Sequence, residues 1–590
     1  MIATKVRLLF AGLIGISIAM VLALHAYGAQ DKEHPNAPNI PIIGPTTELP
    51  PATGSTALMP TDCRYGVAQS YVYPNSDKWI ATLNAGWYLN FGVAPIGTPS
   101  KSAEFAPVIR TRQNFIDHDN NPQTPPVRDN SYRFEPPLSD FYRNNNGTLL
   151  EGMGSIIRKY PGGYWIVGNE VDVDNAAQDN IMPELYAQAY HDAYYYIKGI
   201  DQSAKVAIAG LSMMTPGRLQ YLSIVWDTYR SLYGHDMPVD IWNMHLYILE
   251  ERMPGNPNDY GDGKIALGTD PALAKLSSGG DAQYCPAKGA ADIPANDPRP
   301  DVYCRAEHDS VRIFREQVYA LRQWMKDHGQ QNKPLIITEF GILYPNTDLN
   351  PDGTCNFLLD EHQQCFNPTR VTTFMRNTMQ FLMNTTDPNL GYPADGNRLV
   401  QQWLWYSLIT GEESSGGSST LLRVDFSQFP AGDPAALTAM GEAFRQEAST
   451  NNFGQSNLVG GIANDVVLVA GTPGFNGTAN LTATFRNGGT KSIVAPVTVT
   501  FYSDQALTQV IGSTTYYPET SGAIAGCTWG GRNSERVSVQ WSNLQVGKYN
   551  YWAVIDSTNA IGETLENDNV TSRGTVTVVQ NGIFVPTVRR

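Results

Sequence analysis

The spacing of apolar positions changes along the chain and divides it into four stretches. From Leu8 to Leu24 the residues are uncharged and mostly apolar, and residues 30–61 then hold seven prolines among Asn, Thr, Gly and Ser. That second stretch is too poor in apolar side chains to build a core and reads as an extended linker. Residues 62–450 carry short apolar runs separated by amphipathic stretches. Eight runs predict buried strands: Tyr65–Gln69, Ala85–Phe91, Phe105–Ile109, Tyr164–Gly168, Val206–Leu211, Asp240–Leu246, Leu335–Thr338 and Val400–Tyr406. They are near-continuously apolar, as expected of strands covered on both faces. Helical spacing fills several of the gaps, with Leu185, Ala189, Ala193 and Ile197 on one face of Pro183–Ile200. A second helix is predicted over Glu307–His328 and a last one over Pro434–Ala448. Eight strands alternating with helices predict an α/β domain, a (β/α)8 TIM barrel, whose longest insertion is Leu249–Arg305. A doubly wound sheet is the alternative, but no Gly-rich phosphate loop follows the first strand. From residue 463 to 580 the pattern alternates with period two between Gly- and Asn-rich turns, which predicts an immunoglobulin-like β-sandwich.

The first stretch sets the compartment. Lys5 and Arg7 precede the apolar run, and Ala26, Tyr27, Gly28 and Ala29 follow it. Residues 1–29 therefore read as a signal peptide or, since the run is nearly long enough to span a bilayer, an N-terminal membrane anchor. Either reading makes the protein extracellular, secreted or anchored at the cell surface. The six cysteines fit an oxidising address. Cys285 with Cys304, and Cys355 with Cys365, bracket loop-like stretches and predict two disulfides. Cys63 and Cys527 fall in different predicted domains, and free thiols are an open reading for both. No CxxC or HxxxH spacing points to a metal.

Charge excludes one class of partner. The net charge is −15 and no basic patch is evident, so nothing replaces phosphate counterions and nucleic acid is not a partner. The 30 tyrosines and 11 tryptophans suit either ordinary cores or clefts that stack sugar rings.

Candidate chemistry sits where two strands end. Strand four runs Trp165-Ile166-Val167-Gly168-Asn169-Glu170, and strand seven runs Ile336-Ile337-Thr338-Glu339-Phe340-Gly341. Each drives an apolar strand into a carboxylate at its exit, a costly placement unless the group is partnered. Either Glu alone reads equally well as a solvated loop residue. Together, at the C-terminal ends of barrel strands, they supply what glycosidic cleavage requires: one carboxyl held protonated and one ionised.

Gly168-Asn169-Glu170 and Thr338-Glu339-Phe340-Gly341 resemble the acid/base and nucleophile motifs of clan A glycoside hydrolases. Gly86-Trp87-Tyr88-Leu89-Asn90-Phe91, Glu104-Phe105-Ala106-Pro107-Val108 and Trp242-Asn243-Met244-His245-Leu246-Tyr247 narrow the resemblance to glycoside hydrolase family 128, whose characterised members cleave β-1,3-glucans. The chain departs from that family at Val171, where a proline is usual, and in its long insertion. The resemblance implies Glu170 as general acid and then base, with Asn169 beside it on the sugar 2-hydroxyl, and Glu339 as nucleophile. It implies Tyr247 orienting Glu339, His245 lining the rim or serving as a structural histidine, and Trp87 and Trp405 as stacking platforms. Trp403, deeper on the strand face of Trp405, reads as core. Retaining chemistry predicts carboxyl groups about 5–5.5 Å apart. Asn487-Gly488-Gly489, Trp541 and the segment 561–569 resemble a CARDB module, whose cell-surface partner the sequence does not name. Its acidic stretch Asp556–Asn569 reads as a solvated turn in preference to a Ca²⁺ loop.

The expected function is a secreted or surface-anchored retaining glycosidase acting on a polysaccharide or oligosaccharide, without cofactor or metal. A glycan-binding or adhesion protein on a catalytically silent barrel is the alternative from another class.

Overall fold

A computed structural model describes residues 63–580 apart from 69–74, 98–99, 101, 117–126, 161, 253–263, 278–284, 286–301, 345–358, 412–414, 451–454, 463–464, 471–474, 529–533, 564–565 and 567. The expected signal or anchor and the linker lie outside the described residues. Among the described residues no helix is long and apolar enough to cross a membrane.

The first part is mixed α/β. Its strands are β1 (Tyr65–Ala68), β2 (Trp87–Leu89), β3 (Glu104–Phe105), β4 (Val108–Ile116), β5 (Val127–Glu135), β6 (Tyr164–Asn169), β7 (Lys205–Gly210), β8 (Trp242–Leu246), β9 (Leu335–Phe340) and β10 (Gln402–Tyr406). They form two sheets, ordered β8-β9-β10-β1-β2-β3 and β5-β4-β6-β7. Within these two sheets every pairing is parallel except the hairpin of β4 with β5, and a separate antiparallel pair joins Phe141–Arg143 to Leu149–Glu151. Only Ala106 and Pro107 separate β3 from β4, and a parallel bridge joins Ala207 of β7 to Ile241 beside β8. The third predicted strand is thus split in two, and its second half continues into the hairpin.

Helices separate most of the parallel strands: α1 (Ser76–Thr82), α2 (Met153–Lys159), α3 (Pro183–Ile200), α4 (Pro216–Tyr233), α5 (Val311–Asp327), α6 (Pro368–Asn384) and α7 (Ala439–Thr450). α3 has the predicted bounds and begins, like α4 and α6, with a proline, which loses no helical hydrogen bond there. Asn367 and Ser310 cap α6 and α5 through their side chains.

Strand alternation creates two cores. Side chains such as Ala68, Trp87, Leu89, Ile166, Ile336 and Leu404 pack together on one face of the strands. Val67, Tyr88, Val167, Met244, Phe340 and Trp405 pack on the other face in the cluster that also holds the helices' apolar sides, including Leu185, Val225, Leu321 and Met379. Burial on both faces is why the strand sequences lack polar alternation.

The second part is a β-sandwich with its own core, built on Leu481, Phe485, Val499, Phe501, Tyr551 and Val576. Its strands are β11 (Leu458–Ile462), β12 (Val466–Ala470), β13 (Gly477–Asn487), β14 (Val497–Tyr502), β15 (Val510–Tyr516), β16 (Glu535–Leu544), β17 (Gly547–Val554) and β18 (Gly574–Gln580). Three strands, β11-β13-β16, face five, β12-β18-β17-β14-β15.

The cysteines bring one correction. Cys63 and Cys527 are not free: they form a disulfide across 464 residues, with Cα atoms 5.6 Å apart. Short-range spacing finds only local bridges, and this one closes the whole length of the chain between its partners. It fixes the segment just before β1 to the sandwich loop between β15 and β16. A Cβ on Gly86, just before β2, would lie 3.0 Å from the Cys527 sulfur, and one on Gly162, just before β6, 2.8 Å from Arg486 of β13. The sandwich therefore sits against the N-terminal ends of these parallel strands. Cys285 and Cys304 pair as expected. Cys365 is disulfide-bonded, and its expected partner Cys355 lies outside the described residues.

Candidate active site

The opposite, C-terminal ends of the strands carry the candidate chemistry. At the end of β6 the backbone turns sharply, with φ of 96° at Gly168 and 46° at Glu170. A non-glycine residue in the left-handed region costs about 1–3 kcal/mol and persists only when its surroundings enforce it. Here the neighbours do so: Glu170 N donates to Gly210 O at 3.0 Å, and Asn169 N donates to Asp179 Oδ2 at 2.8 Å. Asp172, two residues on, accepts from Ser212 Oγ at 3.1 Å and from Arg218 Nε at 2.9 Å. Arg218 also pairs with Glu251, so a buried Asp172–Arg218–Glu251 cluster anchors the turn. Burial depresses the Arg218 pKa, while Asp172 and then Glu170 hold it up.

Glu339 reaches the same place by a different device. The pairing register shifts between Ile337 and Phe340 on one side of β9 and opposite Met244/His245 on the other. Ile337 and Phe340 both belong to the helix-side core, which leaves two residues between them instead of one. The bulge re-aims Glu339 away from the helices, as bulges near functional sites do.

His245 and Tyr247, two apart at the end of β8, complete the arrangement. His245 Nδ1 lies 3.0 Å from Glu170 Oε1, and its Nε2 lies 3.4 Å from Glu339 Oε1. The Tyr247 hydroxyl donates to Glu339 Oε2 at 2.8 Å. One ligand atom from each of Glu170, His245 and Glu339 lies within 4.8 Å of the others. All are buried, at 3% exposure for Glu170, 6% for Glu339 and 1% for His245 and Tyr247. Gly210 makes room for the ring, since a Cβ there would lie 2.2 Å from His245 Cδ2. Burial lowers the His245 pKa, against the pull of Glu339 and Asp172, and so favours the neutral imidazole. Burial first, and then Glu339, raises the Tyr247 pKa, so the phenol keeps its proton and can donate it.

Asn169 lies beside Glu170, with its amide donating to Gln178 Oε1 at 3.0 Å. The two predicted stacking platforms are elsewhere. Trp87 is fully buried in the interior between the strands and donates from Nε1 to Arg64 O at 3.1 Å. Trp405 is also fully buried, but on the helix side, edge-on to Phe340 and donating to Ser419 O at 2.8 Å. Neither presents a ring face to a ligand. Trp403, on the Trp405 face, is core as expected.

Two further aromatic side chains, Tyr406 and Phe91, continue outward from Tyr247. Tyr406 is half-buried, and its ring centroid lies 6.4 Å from both Tyr247 and Phe91. Phe91 holds a φ of 62°. Strand parity identifies Tyr406: Leu404 faces the strand interior, so Tyr406 shares that side and Trp405 does not.

Glu170, His245 and Glu339 are spaced closely enough to hold a metal ion, as are Cys285, Cys304 and Glu361. The latter two sulfurs are joined in a disulfide and are not thiolate ligands. In the former group both imidazole nitrogens already face a carboxylate oxygen. In the sandwich, Asp556 accepts from Ile561 N at 2.7 Å and Ala560 N at 3.1 Å, and Glu563 accepts from Leu458 N and from Asn569 Nδ2. Burial pushes the Glu563 carboxyl up to about 7.

Residues 466–573 match the family model of CARDB. No curated protein matches the chain. Among solved structures, the CARDB domain of a Pyrococcus furiosus protein in complex with di-metal ions is 19% identical, with 22% of this chain and 98% of that one covered at a TM-score of 0.17. A GH128 (subgroup I) endo-β-1,3-glucanase from Amycolatopsis mediterranei in complex with laminaritriose is 12% identical, covering 65% and 99% at a TM-score of 0.34. A Cellulomonas fimi endo-β-1,4-mannanase double mutant is 14% identical, covering 74% and 66% at a TM-score of 0.20. The families that the motifs resemble are thus among those found, and the C-terminal sandwich carries a CARDB domain.

Proposed function

We propose that this protein is an extracellular, retaining glycoside hydrolase that cleaves β-linked glycans with Glu170 as acid/base and Glu339 as nucleophile. The observation that carries the reading is the pair itself: two buried carboxylates from separate strand ends, with oxygens within 4.8 Å of one another. Retaining enzymes place their carboxyls about 5–5.5 Å apart, whereas inverting ones leave about 6.5–9.5 Å for a water. The proposed frame is a (β/α)8 barrel. Its support is the near-continuity of β3 with β4 and the bridge from Ala207 to Ile241, which would join the two parallel sheets at both edges. The disulfides Cys63–Cys527 and Cys285–Cys304 favour an oxidising compartment.

In the proposed cycle, Glu170 protonates the glycosidic oxygen as the Glu339 carboxylate attacks the anomeric carbon. The bond to the leaving group breaks and a glycosyl ester forms on Glu339. Glu170, now ionised, takes a proton from water, which attacks the same carbon and frees Glu339. Tyr247 holds Glu339 in line, Asn169 is placed to bind the sugar hydroxyl next to the reacting carbon, and Tyr406 offers a ring for the sugar face.

The test is hydrolysis of a panel of β-1,3-glucans, xylans and mannans by the secreted protein. Glu170→Gln and Glu339→Gln should each lower kcat by about three orders of magnitude or more while leaving the fold intact. Undiminished hydrolysis by either variant would rule out its assigned role.

A further inference from the structure

Two carboxylic acids so close in space present a problem of allocation: one must keep its proton and the other must lose it. Burial and mutual repulsion disfavour two charges at such a spacing without choosing which acid keeps its proton. The choice must come from an asymmetric neighbour. Tyr247 is one such neighbour, since its hydroxyl donates to Glu339. The other lies between the two acids.

We propose that His245 is a positioning residue that assigns the proton to Glu170 and the charge to Glu339, through a neutral imidazole protonated only on Nε2. This inference rests on the retaining glycosidase reading above and deepens it. A neutral imidazole has one N–H and one lone pair. With the proton on Nε2, Nδ1 can only accept, so the Glu170 oxygen 3.0 Å away must donate and is protonated. Nε2–H then faces Glu339 Oε1 at 3.4 Å and favours its ionised form. The opposite tautomer would aim a lone pair at Glu339 while Tyr247 presses it to be an anion, and so sets two acceptors against each other.

The groups that face the ring agree with the assignment. They are Glu170 from the end of β6, Glu339 from β9, Tyr247 from the imidazole's own strand end, and Asp172 from the turn behind Glu170. Asp172 is paired with Arg218 at 2.9 Å, and its pull on the ring is smaller than the effect of burial. The ring is 1% exposed and seated over Gly210, whose missing side chain makes room for its Cδ2–Nε2 edge. Burial opposes a cationic imidazole, which keeps the single-proton form. A histidine acting only as packing would need neither edge so directed.

Two experiments test the inference. Imidazole ¹⁵N shifts of the intact protein between pH 5 and 8 should show His245 neutral, with Nε2 protonated and Nδ1 bare. An imidazolium or an Nδ1–H tautomer would overturn it. The pH profile of kcat/KM gives the functional arm. His245→Ala removes the acceptor from Glu170 and the donor from Glu339. The basic limb should then fall and the acidic limb rise, each by about one pH unit, with kcat down about tenfold or more. His245→Gln offers an oxygen and an N–H in similar places and should restore most of the width of the profile. Limbs unmoved in a folded His245→Ala protein, with a uniform loss at every pH, would leave His245 a structural residue only. That outcome with inactive Glu170→Gln and Glu339→Gln sinks this inference alone; active glutamine variants sink the reading beneath it.

Discussion

At the scale of single residues, parity on a strand decides which aromatic group can touch a sugar. Trp405 and Tyr406 are neighbours in sequence, yet one is sealed among helices and the other packs beside Tyr247, which bonds Glu339. Replacing each by alanine should separate their roles. Trp405→Ala should cost about 3–5 kcal/mol of stability, as large core deletions do, seen as a lowered Tm. Tyr406→Ala should leave Tm nearly unchanged and raise KM several-fold, measured by initial rates on the best glycan; equal effects on both readouts would refute the division. The same parity explains what could and could not be read from the sequence. Glu170 and Glu339 were legible because each follows an apolar run and strand ends gather in space, whereas His245 and Tyr247 came from the resemblance of their motif. Trp405 was misread because residue type was weighed above strand face, and Trp87, though on the interior face, because it opens its strand instead of ending it. Counting in steps of two from Leu404 would have favoured Tyr406. The bulge that turns Glu339 inward leaves no mark on the sequence pattern, since Thr338-Glu339 continues the strand.

Among the elements, the loops that follow β8 and β9 are tied by one histidine. His308 Nδ1 lies 2.6 Å from Ile248 O, and Leu343 N donates to His308 Nε2 at 2.8 Å. For Leu343 N to donate, the imidazole must be neutral, with its proton on Nδ1. Burial, the largest cause, holds its pKa down to about 4 from an ordinary 6.5. The unfolded chain takes up a proton below pH 6.5 that the folded one refuses until about pH 4. Stability is therefore whole above pH 6.5 and is lost progressively as the pH falls toward 4, by about 3 kcal/mol in all. Urea unfolding across that range should show the decline, and His308→Gln should flatten it. An unchanged slope in the variant would mean that His308 does not carry the effect. Helix bounds here were readable from prolines at the first turn and from apolar spacing, whereas the hairpin β4–β5 was not. It extends a strand of the parallel sheet with Arg110, Arg112 and Gln113, polar residues that read as loop.

For the whole molecule, the sandwich is not a module on a loose tether. Its Cys527 is bonded to Cys63, Arg486 reaches Gly162, and both contacts lie at the strand ends remote from Glu170 and Glu339. This arrangement keeps those contacts away from the two candidate carboxylates and joins the first and last thirds of the chain. Cys63→Ser with Cys527→Ser should remove on the order of 2–4 kcal/mol of stability and split thermal unfolding into two transitions, since a covalent tie across so long a segment chiefly restrains the unfolded chain. Hydrolysis at 25 °C should be retained. A single transition at the wild-type temperature would show that the non-covalent contacts suffice. The domain order was visible in the change of apolar period, but the bridge across 464 residues was not, because nothing local records it.

The claim on which the rest depends is that Glu170 and Glu339 act as acid/base and nucleophile in a double displacement. Azide rescue tests it most directly. Glu170→Ala should form the glycosyl ester from an activated aryl glycoside and then stall, because no base activates water. Azide should restore turnover and yield a glycosyl azide of retained configuration by ¹H NMR. Turnover that azide leaves unchanged, or an azide product of inverted configuration, would contradict the account.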